Sequence, residues 1–211
     1  MTIISRKSPV NFDVTPLKTE EWNDWTINTE LQNETSEFYL IDLSHVDRRD
    51  LQHHKLSDYT PAQVKIPAEP CQSVLSGKIL INRMNSIQAS IWNFSRDGEK
   101  LPSEDGYTDT TDATVALVMI GKAVGSLAEK LSSLDLFGIK KKAPYLIQGP
   151  FSHVPCQIVI LDTDGDSSCM LLTFSRGYAS AMTHAILEAG KEFNIQPAGE
   201  GKFTEWLEQK K

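Results

Sequence analysis

The sequence predicts an α+β fold: a mixed or antiparallel sheet with helices packed on one face. Three observations carry this. From residue 114 onward the elements read strand, helix, strand, strand, helix. Earlier, Ile87, Ala89 and Ile91 alternate with Gln88 and Ser90, the period-two pattern of a half-buried strand. Later, Tyr178, Ala181, Met182, Ala185, Ile186, Ala189 and Phe193 recur at helical spacing and form one apolar stripe. Two strand pairs with crossover helices on one side follow split βαβ logic.

Taken in order, residues 1–37 are polar and weakly periodic, with Trp22 and Trp25 standing among Glu, Asp, Asn and Thr. They read as an irregular N-terminal arm, its tryptophans anchoring it to the chain's own core or to a partner. A first α+β half spans 38–100. It opens with the apolar run Phe38–Leu43, a short buried strand. Ser44 or Asp47 is placed to cap a polar helix running to about Tyr59. Pro61, Pro67 and Pro70 make a loop, followed by strands near 74–82 and 87–95 with a turn at Asn85-Ser86. Residues 96–112 are acidic and contain Gly98, Pro102 and Gly106, the best internal boundary.

The second half, 108–196, is the more regular and reads as a ferredoxin-like unit. Thr114–Gly121 is a buried strand. Val124, Leu127, Ala128 and Leu131 then mark a helix. Gly138 and Lys140-Lys141-Lys142 form a loop. Strands at Gln157–Leu161 and Cys169–Phe174 are joined by an Asp- and Gly-rich turn, and Ser175 caps the last helix. Residues 197–211 form a C-terminal tail.

The chain has 211 residues, enough to bury a core without disulfide or metal staples. Its 40% hydrophobic and 23% charged residues argue against disorder. Lys plus Arg is 21 and Asp plus Glu is 28, so the net charge is −7. That lacks the broad positive field that nucleic acid or anionic membranes demand, and neither is expected as a partner. No run approaches a membrane span, and the N-terminus turns polar at Ser5, so no signal peptide is expected and the expected compartment is the cytoplasm.

No constellation demands catalysis. Asp162, Asp164 and Asp166 surround Gly165, but an EF-hand glycine would be sixth and its twelfth residue Glu, whereas here Gly165 is fourth and Thr173 twelfth. A hairpin turn is expected. Gly121-Lys122 and Gly125-Ser126 fit neither phosphate-binding spacing, so plain helix initiation is expected there. His45, His53, His54, His153 and His184 include no i, i+4 pair. Cys71, Cys156 and Cys169 contain no C-x-x-C, and Cys156 has no base nearby in sequence. Glu104, Asp105, Asp109 and Asp112 read as solvated charges. Ser152, His153 and Val154 lie between Pro150 and Pro155 and are expected to be structural, at most interfacial. No catalytic, cofactor-binding or metal residue is assigned.

Several segments together resemble the gamma subunit of heterotetrameric sarcosine oxidase and, more broadly, the aminomethyltransferase (glycine-cleavage T-protein) superfamily. Arg6-Lys7-Ser8-Pro9-Val10 resembles the Arg-Arg-Ser-Pro-Leu opening of those subunits. Leu40–Val46 contains an Asp-Leu-Ser-His segment similar to theirs. Thr111-Asp112-Ala113 with Val115–Gly121, then Ser133–Leu136 and Phe151–Pro155, then Tyr178 through Gly190, follow in the family's order. The departures are Gly121-Lys122-Ala123 in place of Gly-Pro-Arg, a poor match over 47–100, and about half the length of a full T-protein.

The resemblance implies a T-protein-like fold and a small, non-catalytic accessory subunit of a sarcosine oxidase-like complex. Such complexes oxidatively demethylate an N-methyl amine and pass the one-carbon unit to tetrahydrofolate. FAD, FMN, NAD and tetrahydrofolate are then expected on larger flavoprotein subunits, and none on this chain. The alternative is a free-standing folate-dependent aminomethyl- or methyltransferase. A ligand-sensing regulatory module is a third class, since fold does not fix function.

Overall fold

The computed structural model describes residues 5–96, 100–138 and 142–210. Gly98, Lys140 and Lys141, named above, lie outside them, as do the first four residues. The class is α+β. Two sheets share one core, and helices flank the larger sheet on both faces.

The N-terminal arm is not irregular. Strands β1 (Pro16–Trp22) and β2 (Trp25–Leu31) form an antiparallel hairpin whose turn places Asn23 and Asp24 at positive φ. Asn and Asp tolerate that region better than other L residues, and two such residues in a row suit a two-residue hairpin. One face of β2 is apolar: Trp25, Ile27 and Leu31 are buried while Thr26, Asn28 and Glu30 face solvent. Trp25 thus anchors the arm to the chain's own core.

The larger sheet has the order β10-β11-β12-β9-β3-β13. Its members are β3 (Tyr39–Asp42), β9 (Thr114–Ile120), β10 (Tyr145–Phe151), β11 (Val154–Asp162), β12 (Cys169–Ser175) and β13 (Gln196–Ala198). All pairs are antiparallel except β13 with β3, so the sheet is mixed. Helices α1 (Val124–Leu131) and α2 (Ala179–Gly190) cover one face. Val124, Leu127, Met182 and Ile186 meet Leu117, Ile158 and Leu172 there. Burial of this scale, at about 25 cal/mol per Å² of apolar surface, is the main term holding the layers together.

Residues 197–211, read above as a tail, carry helix α3 (Glu200–Glu208), which packs on the opposite face of that sheet. Phe203, Trp206 and Leu207 join Ile41, Val118, Val159 and Leu171. The smaller sheet shares this second core through Leu80, Met84, Trp92 and Phe94.

The smaller sheet runs β5-β6-β7-β4-β8: β4 (Asp47–Gln52), β5 (Ser73–Ser76), β6 (Ile79–Arg83), β7 (Gln88–Asn93) and β8 (Tyr107–Asp109). Two expectations are corrected here. The polar stretch from Ser44 to Tyr59 is no α-helix. It is strand β4, in register with β7 from Asp47↔Asn93 to Gln52↔Gln88, followed by a short 3₁₀ turn at Leu56–Asp58. Its two buried residues, Arg48 and Leu51, lie three apart and so on opposite faces of the strand, and on one of those faces a charged residue sits where a strand pattern would show a hydrophobe. The strand expected at 74–82 is a hairpin, β5 and β6, turning at Gly77 with φ +57°.

The segment between Pro150 and Pro155 is the β10–β11 hairpin itself. Ser152 and His153 occupy its turn at φ 47° and 66°. Pro155 lies beyond the β11–β12 pairing, which begins at Gln157↔Thr173, so its missing N–H leaves no ladder bond unmade. Ser175 does not cap α2: a 3₁₀ turn at Arg176–Tyr178 intervenes, with no side-chain cap bond. Tyr178 and Ala181, assigned to the apolar stripe, face solvent.

Candidate functional site

A cleft of about 500 Å³ opens where the N-terminal hairpin, the smaller sheet and the loop after β3 converge. Trp22, Trp25, His45, Arg49, Arg96 and Asp109 are among its walls. Its volume lies within the range that holds small ligands.

The walls are built from charges that neutralise one another. Arg49 pairs with Asp47 and reaches Asp109 Oδ2 at 3.1 Å. Burial raises the Asp47 carboxyl, while Arg49 opposes that shift and Asp109 adds to it. Arg96 joins Glu20 on the hairpin to Glu200 at the start of α3. The second Glu200 oxygen lies 3.2 Å from His45 Nε2. Both His45 and Glu200 are more than nine-tenths buried. Burial pushes His45 down to about 4; Asp42 opposes this, and Arg96 and Arg48 reinforce it. The imidazole is therefore neutral at pH 7, with its Nε2 against the Glu200 carboxylate.

Behind the cleft, Arg48 is 2% exposed. Its Nη2 donates to the carbonyls of Ser44 (3.0 Å), Thr111 (2.5 Å) and Thr114 (3.0 Å), and its guanidinium lies 5.0 Å from the Trp92 ring centroid. Burial lowers it to about 10, so it stays charged at neutral pH. Ser44 Oγ donates to Asp42 at 2.6 Å and accepts from the Ala116 N–H at 3.2 Å. The Asp-Leu-Ser-His segment thus ties β3 to β9 and delivers His45 to the cleft wall.

The acidic residues fare unequally. Asp109 and Asp112 enter ion pairs, the latter with Arg6 at 3.5 Å, while Glu104 and Asp105 are exposed. Asp162 accepts from Ser167 Oγ at 2.9 Å and pairs with Lys210, so its carboxylate fastens the β11–β12 turn to the C-terminal segment. Among the described residues no group of three His, Cys, Asp or Glu side chains is placed to hold a metal ion. His153 and His184 are exposed, and His53 packs tilted against His54 and edge-on to Tyr59. Gly121, directly after β9 and three residues before α1, has φ +138°, and a Cβ there would meet the Glu37 carbonyl at 2.3 Å. Close backbone approach explains that glycine. Burial raises the Cys156 thiol to about 12 and Cys169 well above its ordinary value, the reverse of an activated nucleophile.

Glu200, Arg96, Arg49 and Arg48 were not singled out from the sequence. They lie far apart along the chain, and each reads locally as a solvated charge. The one local signal was His45, in the Asp-Leu-Ser-His segment.

No family model matches the chain, and none of the curated proteins matches it in sequence. Solved structures do. A chain of the heterotetrameric sarcosine oxidase from Corynebacterium sp. U-96, in complex with pyrrole 2-carboxylate, aligns with a TM-score of 0.60 at 12% identity over 75% of this chain and 86% of that one. The glycine cleavage system aminomethyltransferase T from Bartonella henselae aligns with a TM-score of 0.59 at 11% identity over 87% of this chain. The match takes in 56% of the aminomethyltransferase chain, so this protein spans a little over half its length. At these identities the likeness is one of fold, and the fold is T-protein-like.

Proposed function

We propose that this chain is a small accessory subunit of a heteromeric oxidase that demethylates an N-methyl amine and delivers the one-carbon unit to tetrahydrofolate, its flavins and NAD carried by larger partner chains. The observation that carries the reading is the extent of the sarcosine oxidase match. It covers 86% of the aligned chain, so this protein resembles one whole, similarly small chain of a four-chain assembly. The cleft chemistry agrees with a structural role. Its arginines are engaged by carboxylates, and His45 is buried and neutral.

A second reading, a free-standing folate-dependent aminomethyltransferase-like protein, draws on the aminomethyltransferase match and on a cleft large enough for a small ligand. Titration of the isolated chain with tetrahydrofolate separates the two. The accessory reading expects no binding at micromolar concentration, and a dissociation constant near 1 μM, about −8 kcal/mol, would favour the enzyme. Affinity capture from native extract should recover larger flavin-bearing chains. Recovery of a lone, stable monomer would overturn the accessory reading.

A further inference from the structure

The two sheets are tied together just ahead of β5. Gln72 forms an isolated antiparallel bridge with Tyr145, the first residue of β10, and the Leu146 N–H donates to the Cys71 carbonyl at 3.0 Å. Beside this junction opens a groove of about 650 Å³, larger than the cleft and within the range that holds small ligands. Residues of the 65–74 segment line it on one side of the junction, and Lys142, Pro144 and Tyr145 on the other.

Its bed is apolar and fixed. Ile66, Pro67, Val74 and Pro144 are half-buried, so each leaves apolar surface open. Ile66 and Val74 also pack on the smaller sheet's own apolar cluster, which holds them in place. Pro67, Pro70 and Pro144 restrict the local backbone, so little order has to be imposed when a ligand enters. The charges differ from those of the cleft. Lys65 and Lys142 line the groove and are exposed, and Glu69 is the one opposing charge among the lining residues. Among the described residues, Lys18, Lys130, Lys191, Lys202 and Lys210 are held in ion pairs, but Lys65 and Lys142 are not. On a chain of net charge −7, this groove carries an excess of unpaired positive charge beside open apolar surface.

We propose that this groove binds a small carboxylic acid with an apolar stem, the stem lying on Ile66, Pro67, Val74 and Pro144 and the carboxylate pairing with Lys65 and Lys142. A carboxylate supplies the charge-assisted hydrogen bonds that these lysines lack, and the stem removes the open apolar surface from water. An amine on the same stem would meet two like charges instead. The site is separate from the cleft and does not depend on the accessory-subunit reading.

The experiment is calorimetric titration of the full chain with octanoate and with octylammonium, which share a stem and differ in charge. Octanoate should bind with a dissociation constant of about 1 mM or tighter, and octylammonium at least ~10-fold more weakly. Cys71 lines the groove and is half-buried, so bound octanoate should slow its alkylation by uncharged iodoacetamide. The double variant Lys65→Glu/Lys142→Glu should weaken octanoate at least ~10-fold, with its melting temperature measured alongside. Should that variant unfold, Glu69→Gln takes its place: loss of the opposing charge should tighten octanoate, and unchanged or weaker binding would count against the site. Equal affinity for the two amphiphiles, or no octanoate binding at several times that concentration, would overturn the proposal. So would octanoate binding that leaves Cys71 alkylation unchanged or persists in the folded double variant. If the native chain ignores octanoate but the double variant captures less of a flavin-bearing partner, the groove is a protein contact, and the proposal falls while the accessory reading stands.

Discussion

His45 is almost fully buried, and burial, reinforced by Arg96 and Arg48 and opposed by Asp42, holds its imidazole well below its ordinary range. The folded form takes up a proton only near pH 4, the unfolded form near 6.5. Between those values the unfolded chain binds more protons, and folding stability falls as the pH falls. The loss at pH 4.5 relative to pH 7 is about 2–3 kcal/mol from this residue. Urea unfolding of the native protein and of His45→Gln at both pH values checks it. An equal acid loss in the two proteins would remove His45 as the cause. Arg48 makes a separate prediction. Lysine cannot span three carbonyls and stack on Trp92 at once, so Arg48→Lys should cost ~2–4 kcal/mol in urea unfolding. The thiols make a third. In the native protein Cys71, which is half-buried, should react with a thiol reagent, while Cys156 and Cys169 should react only after denaturation. Rapid native labelling at Cys156 would contradict the burial argument.

At the scale of elements, two glycines hold the layers in place. A Cβ on Gly121 would meet the Glu37 carbonyl at 2.3 Å, and one on Gly199 would meet the Thr29 carbonyl carbon at 2.4 Å. The first lets β9 turn into α1 beneath the strand entering β3, and the second lets the start of α3 press against the hairpin. Neither neighbour is a flexible side chain. Gly199→Ala should therefore lower stability by ~3 kcal/mol or more in thermal or urea unfolding, while leaving the smaller sheet's secondary structure intact.

The elements that could be read from sequence are those whose burial is local and regular. β9, β12 and α1 show continuous apolar runs or a helical stripe, and their partners only confirm the pattern. β4 could not be read, because one of its two buried positions holds Arg48, whose Nη2 donates to carbonyls of Ser44 and of residues more than sixty positions away. The hairpin and α3 each present one narrow apolar face amid acids and amides, a pattern that acquires meaning only once the element packs on the body of the fold, as α3 does on the larger sheet. The cleft was hidden for the same reason: His45, Arg96 and Glu200 belong to three distant segments, and no spacing in the chain announces that they meet.

For the whole molecule, charge is the organising quantity. The chain carries a net charge of −7, and at the cleft opposite charges meet in pairs. No helix among the described residues is long and apolar enough to cross a membrane. A fold that aligns with most of one oxidase chain, and a cleft whose arginines are engaged by carboxylates, support the accessory role proposed above. The central claim is that this protein acts only inside such an assembly. Its most direct test is the mass of the untagged protein in native extract, measured by size-exclusion chromatography with light scattering and flavin detection. The account predicts that the 23.6 kDa chain elutes entirely within a flavin-containing complex several times its own mass. Elution as a flavin-free species of 23.6 kDa would contradict it.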